Sequence, residues 1–207
     1  MKTVRIDAPN GAIAVHESAG EGPPVVLIHG NSSSSHVFSR QLDGRLGERF
    51  RLVAVDLPGH GESDDAKDPS TYSLPGHARA VWAVVNAFGL HEAWFVGWSL
   101  GGHVALEMAP DLPQARGLLI FGAPPLTSGE AMSEAFLPNP AMKFIFQESV
   151  DSIEASAMSP RSSDPVSPIF RRFSSTIFCV RTGGRAAISG QRRPRRGPRR
   201  GRSGARS

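Results

Sequence analysis

Phe95-Val96-Gly97-Trp98-Ser99-Leu100-Gly101-Gly102 is the stretch from which the rest of the chain is read. The apolar run Ala93 to Val96 reads as a buried strand that breaks at Gly97, and Gly101 and Gly102 open a segment of helical spacing. G-x-S-x-G between a strand and a helix is a sharp turn that holds its serine in a strained backbone conformation, side chain projecting above the sheet. Small residues are needed at Gly97 and Gly101, because a Cβ there would collide with the adjoining strand and helix. The Leu100 amide, at the start of the helix, points towards the place where a substrate oxyanion would sit. Ser99 is the best nucleophile candidate in the chain.

Upstream, Val4-Arg5-Ile6 and Ile13-Ala14-Val15 flank Asn10-Gly11, a pair that favours positive φ and a hairpin. Val25-Val26-Leu27-Ile28 is a continuous apolar run, as expected of a strand buried on both faces. It ends at His29-Gly30-Asn31 and the serines 32–35, after which Val37, Phe38, Leu42 and Leu46 give His36–Leu46 helical spacing. Arg51 to Val55 is the next strand, ending in Asp56-Leu57-Pro58-Gly59-His60-Gly61-Glu62-Ser63. A helix is predicted from Leu74 to Phe88, closed by Gly89, and another from Leu100 to Ala109, stopped by Pro110. Leu118 to Phe121 is one more buried strand, followed by Gly122-Ala123-Pro124-Pro125. Strands alternating with helices through short loops imply an α/β fold with a parallel, helix-covered sheet.

The composition divides the chain in two. Residues 1–158 carry 10 Lys and Arg against 18 acids, a net charge of −8; residues 159–207 carry 13 Arg, no Lys and one acid, Asp164, a net charge of +12. At 207 residues the chain can bury one substantial core. No run approaches the roughly 18–20 apolar residues of a membrane span. The first residues lack the apolar core of a secretory signal. A single cysteine, Cys179, forms no internal disulfide and lies near nothing that resembles a metal cluster. A cytoplasmic location is the expectation, with no metal and no cofactor.

His29-Gly30, Asp56 to Ser63 and Gly97 to Gly102 occur in an order and at a spacing that resemble the α/β-hydrolase superfamily, specifically its small soluble esterase, perhydrolase and C–C hydrolase members. The resemblance covers about 125 residues. It implies a mostly parallel sheet with helices on both faces and Ser99 on a nucleophile elbow after the fifth strand. It also implies that the Asn31 and Leu100 amides form the oxyanion hole. It divides the chain into a core at 1–125, a partial cap-like helical region at 126–158, and an Arg, Ser, Pro and Gly tail at 159–207. Trp98, beside the nucleophile, either lines the acyl pocket or packs as core. Phe136, Phe144 and Phe146 either line a cap pocket or pack inside. His29 and His60 read as structural, and Asp56, Asp64 and Asp65 as turn or solvated carboxylates.

A serine hydroxyl needs a base, and the base needs a carboxylate to hold its tautomer. In this fold the order is Ser, then Asp or Glu, then His. Of His16, His29, His36, His60, His77, His91 and His103, only His103 follows Ser99, and it sits on the elbow helix, pointing along it. Asp151 and Asp164 fall in or beyond the cap region, after no recognisable strand. The last strands of the sheet therefore read as missing, leaving Leu118–Phe121 as an apolar edge. From Gln191 on, eight arginines and hardly any apolar residues cannot support a fold, so the tail reads as disordered. It is either a basic arm or the out-of-frame product of a GC-rich gene, and the abrupt shift in composition favours the latter.

The function expected is a serine hydrolase acting on an ester or related acyl bond of a small molecule, impaired because acid and base are absent. The alternative is a non-catalytic pseudo-hydrolase or binding protein whose tail contacts nucleic acid non-specifically. No specific nucleic acid is expected as a partner.

Overall fold

Asn10 (φ 74°) and Gly11 (φ 148°) turn the chain between β1 (Lys2–Ala8) and β2 (Gly11–Glu17), which pair antiparallel with Ala8 opposite Gly11. The computed structural model describes residues 1–123 and the backbone of 177–180 and 189–190. After the hairpin come β3 (Pro24–Ile28), α1 (Ser39–Leu42), α2 (Arg45–Arg49), β4 (Arg51–Val55), α3 (Leu74–Phe88), β5 (Trp94–Trp98), α4 (Leu100–Met108) and β6 (Gly117–Phe121). Two short strands follow, β7 (Ile177–Val180) and β8 (Ser189–Gly190).

The sheet order is β1-β2-β4-β3-β5-β6-β7-β8. β4, β3, β5 and β6 run parallel, and the β1–β2 hairpin joins antiparallel to β4. Among the described residues β6 is the last parallel strand. β7 lies antiparallel beside β6, so the edge expected to stand bare at Leu118–Phe121 has a partner. The expected cap at 126–158, Phe136, Phe144, Phe146, Asp151, Asp164 and the rest of the tail lie outside the described residues.

The alternation of the strands builds two cores. Val26, Ile28, Val53, Val55, Phe95, Leu118 and Ile120 face α3 and α4, meeting Val81, Val84, Val85, Val104 and Met108. Leu27, Leu52 and Ala54 face the other way, onto Phe38 and Leu42, with Val96, Trp98 and Phe121 packed alongside. Each fully buried side chain of this size contributes about 1.5–3 kcal/mol. Helices thus cover both faces of a mostly parallel sheet.

Local chemistry sets the helix ends. The Ser73 hydroxyl accepts from the Gly76 amide to begin α3, and Gly89 closes it in the left-handed region at φ 64°. The single helix predicted over His36–Leu46 is corrected. A 3₁₀ turn at Ser35–Phe38 leads into α1, and the chain breaks at Asp43-Gly44 before α2. Gly44 is extended (φ −100°, ψ −172°), which stops one helix and starts the next. Among the described residues no helix is long and apolar enough to cross a membrane.

Candidate active site

Ser99 stands between β5 and α4 with φ 50° and ψ −117°, a conformation L-residues rarely adopt. Its backbone is fully engaged. The Ser99 N–H donates to Phe121 O at 3.0 Å, and Ser99 O accepts from the amides of Gly102 (2.9 Å) and His103 (3.3 Å). Its side chain caps no amide of α4. The two flanking glycines meet a steric demand, since a Cβ on Gly97 would lie 2.4 Å from Gly101 O. The strand-turn-helix geometry predicted for this stretch is present.

Parallel pairing of Ile28 with Gly97 brings the loop after β3 alongside this turn. A Cβ built on Gly30 would stand 3.1 Å from the Ser99 Cβ, so the loop runs directly against the serine. Asn31 follows, exposed, its side-chain amide donating to Ser32 Oγ at 3.3 Å, and Ser32 itself has φ 52°. Leu100 is half-buried and is the first residue of α4, whose opening amides have no acceptor within the helix.

His29 fixes the start of that loop. It is completely buried; its Nδ1–H donates to Gly30 O at 2.7 Å, and its Nε2 accepts from the Leu57 amide at 3.0 Å. Both nitrogens are used by the backbone, which defines a neutral tautomer and a structural role. Burial, helped by His60 nearby, pushes its pKa below the ordinary value against the opposing pull of the Gly30 carbonyl. His60 bonds Pro58 O through Nδ1 at 2.9 Å, and its ring lies 5.2 Å from that of His29 and 6.2 Å from that of His77. His103 is half-buried on α4, and burial lowers its pKa.

Asp56 is a turn carboxylate, taking the Glu62 amide six residues on, but the alternative reading of it as solvated is overturned, because it is only 1% exposed. Its Oδ1 accepts from the Ser35 amide at 2.7 Å; its Oδ2 accepts from the Glu62 amide at 2.9 Å and faces His16 Nε2 at 3.2 Å. Burial alone would raise its pKa, but the bonds from Glu62, Ser35 and His16 outweigh it and hold the carboxyl below the usual range. Asp64 remains at the surface, paired with Arg5 and accepting from the Ala12 amide at 2.9 Å.

Trp98 is half-buried on the α1 face of the sheet, packed against the smaller core. Its indole fills the gap between the loops after β3 and β6. A Cβ on Gly30 would come within 3.1 Å of it, and one on Gly122 within 3.2 Å. Ser99, Gly30, Trp98 and Gly122 thus share one end of the sheet, at the carboxyl ends of the parallel strands, where open α/β sheets bind ligands.

The sequence model of the alpha/beta hydrolase fold matches residues 23–150. A pimeloyl-[acyl-carrier protein] methyl ester esterase of Stenotrophomonas maltophilia (strain R551-3) is 42% identical over 123 residues, 59% of this chain and 44% of that protein. The crystal structure of the N-acyl homoserine lactonase AidH complexed with N-butanoyl homoserine is 39% identical with a TM-score of 0.73, covering 84% of this chain and 64% of that one. The esterase RhEst1 from Rhodococcus sp. ECU1013 is 33% identical with a TM-score of 0.54, covering 59% of this chain and 46% of that one. The chain thus spans less than half the length of the curated relative. With more than half of its own residues matched, and with its sheet and serine turn arranged as described, the chain belongs to the alpha/beta hydrolase fold family.

Proposed function

We propose that this chain is a serine hydrolase by descent, acting on a carboxylic ester or related acyl bond of a small molecule. Ser99 attacks the carbonyl, the Asn31 and Leu100 amides receive the oxyanion, and Trp98 lines the acyl side of the site. The observation that carries this reading is the Ser99 backbone: a residue held at φ 50° whose own amide and carbonyl are both bonded, with a side chain that does not cap its helix. Strain of this kind costs of order 1–3 kcal/mol and persists where the surroundings over-determine it. The names of the relatives, a methyl ester esterase and an N-acyl homoserine lactonase, place acyl esters and lactones first among substrates to try.

Turnover by this 207-residue chain is expected to be low. His103 is its only imidazole beyond Ser99, and the backbone of α4 carries it. Losing the base and its carboxylate leaves roughly 10³–10⁴-fold over water from oxyanion hole and binding alone. Fluorophosphonate labelling followed by peptide mass spectrometry tests both statements. Slow modification confined to Ser99, and lost in Ser99→Ala, is expected. Labelling that survives Ser99→Ala sinks the nucleophile assignment, and prompt stoichiometric labelling sinks the impairment.

A further inference from the structure

The loop Gly30–Ser35 is gripped at both ends by consecutive residues of another loop. At the near end, His29 bonds Gly30 O and takes the Leu57 amide. At the far end, the Ser35 amide donates to Asp56 Oδ1 at 2.7 Å. Asn31 and the positive-φ Ser32 lie between these two ties. The carboxylate at the far end does more than cap a turn. Its other oxygen takes the Glu62 amide and faces His16 Nε2, and its main-chain carbonyl accepts from Ser63 Oγ at 2.7 Å. His16, 2% exposed, is in turn bonded through Nδ1 to Thr3 Oγ1 at 3.1 Å, the cross-strand partner of His16 in the N-terminal hairpin. A buried charge with three hydrogen-bond partners keeps its geometry, because losing any one leaves an unsatisfied group in the interior.

We propose that Asp56, steadied by His16, is a positioning residue for the Asn31 amide: it fixes the far end of the Gly30–Ser35 loop and so fixes Asn31, the residue after Gly30, whose backbone runs against Ser99. The catalytic meaning of this tether rests on the proposed role of Asn31 in the oxyanion hole. Electrostatic stabilisation depends on donors fixed before the reaction begins, and a loop tied at one end only would not supply one. A carboxylate also suits the task better than an amide, since it accepts on both oxygens and never presents an N–H to the Ser35 or Glu62 amides.

The test compares the 207-residue protein with its Asp56→Asn, His16→Phe and His16→Gln variants by ¹⁵N relaxation and amide exchange. In Asp56→Asn the Ser35 amide should exchange roughly 10- to 100-fold faster. The order parameter at Asn31 should fall from about 0.85 to below about 0.6, with core amides such as Val84 unchanged. If Asp56→Asn does not fold, the His16 pair decides. His16→Phe, which removes the third bond, should lower order at Asn31, and His16→Gln, which keeps a donor, should restore it. Ser35 released with Asn31 still rigid overturns the proposal, as does identical behaviour of the two His16 variants. Fluorophosphonate labelling runs in parallel. Labelling that survives Ser99→Ala ends the nucleophile reading, whereas the Asn31 order parameter reports the tether independently.

Discussion

An added Cβ on Gly101 would stand 2.2 Å from the Ile28 carbonyl oxygen, so the first turn of α4 rests directly on the end of β3. The neighbour is backbone in the centre of a parallel sheet and cannot yield without disturbing its pairing. Gly101→Ala is therefore expected to cost about 3 kcal/mol, the upper range for overpacking. For a chain of this size that is a fall in Tm of roughly 6–12 °C, read by calorimetry. A fall of under a degree would mean that α4 can lift away from β3.

Strain at Ser99 separates two substitutions that are equivalent as losses of a hydroxyl. Glycine adopts φ 50°, ψ −117° freely, whereas alanine does not. After allowing for the extra freedom glycine gives the unfolded chain, Ser99→Gly should exceed Ser99→Ala in stability by about 1 kcal/mol. Urea unfolding of the two variants measures the gap. Coincident midpoints would show that the turn stores no strain.

His77 makes stability depend on pH. It is 3% exposed on α3, and its Nδ1 has no hydrogen-bond partner among the described residues. Burial, with His60 and His29 adding to it, pushes its pKa from 6.5 to about 4. The unfolded chain therefore binds more protons between these values. Stability is complete above pH 6.5 and declines towards pH 4, by an amount on the order of 3 kcal/mol. Below that, the lowered carboxyl of Asp56 loses its own contribution as it protonates. His77→Phe should reduce the slope of the urea midpoint between pH 6.5 and 4, leaving the part that the lowered His29 and His103 supply, and a slope equal to that of the parent would refute the assignment.

Trp98 offers a measure of how much of its indole is structural. Wedged between Gly30 and Gly122 and packed on the smaller core, it is expected to cost about 3 kcal/mol on replacement by alanine. A loss below about 1 kcal/mol, measured by chemical denaturation, would mean the ring serves the pocket alone.

Much of this arrangement was legible because it is local. Val25–Ile28, Arg51–Val55 and Leu118–Phe121 are apolar runs bounded by glycine or polar turns, and all three lie within observed strands. Asn10-Gly11 and Gly89 announce a hairpin and a helix end by turn chemistry alone, whereas the Ser73 cap became visible only in the structure. Asp56 was misread because its partners are scattered: Ser35 is 21 residues away, and His16 is 40. Nothing in Asp-Leu-Pro-Gly distinguishes a solvated turn carboxylate from one closed over by a hairpin. A histidine amid the apolar residues of β2 was the available signal, since a buried imidazole needs a partner. The break of α1 from α2 escaped for the opposite reason: the apolar spacing persists through Asp43-Gly44 and hides the change of direction.

The double tie on the loop after β3 acts as a ruler. Its two fastening points, Asp56 and Leu57, are adjacent in the chain, so the span they allow is fixed by the sheet and not by the loop. One inserted residue would displace the Ser35 amide by about 3.8 Å, past any hydrogen bond. The number of residues between Gly30 and Ser35 is therefore closed to change, while their kind is constrained only locally, at Ser32 by its positive φ and at Ser34 by the hydroxyl that takes the His36 amide. Variation in this loop during evolution or engineering would run through substitution, and changes of length would have to be made elsewhere in the chain.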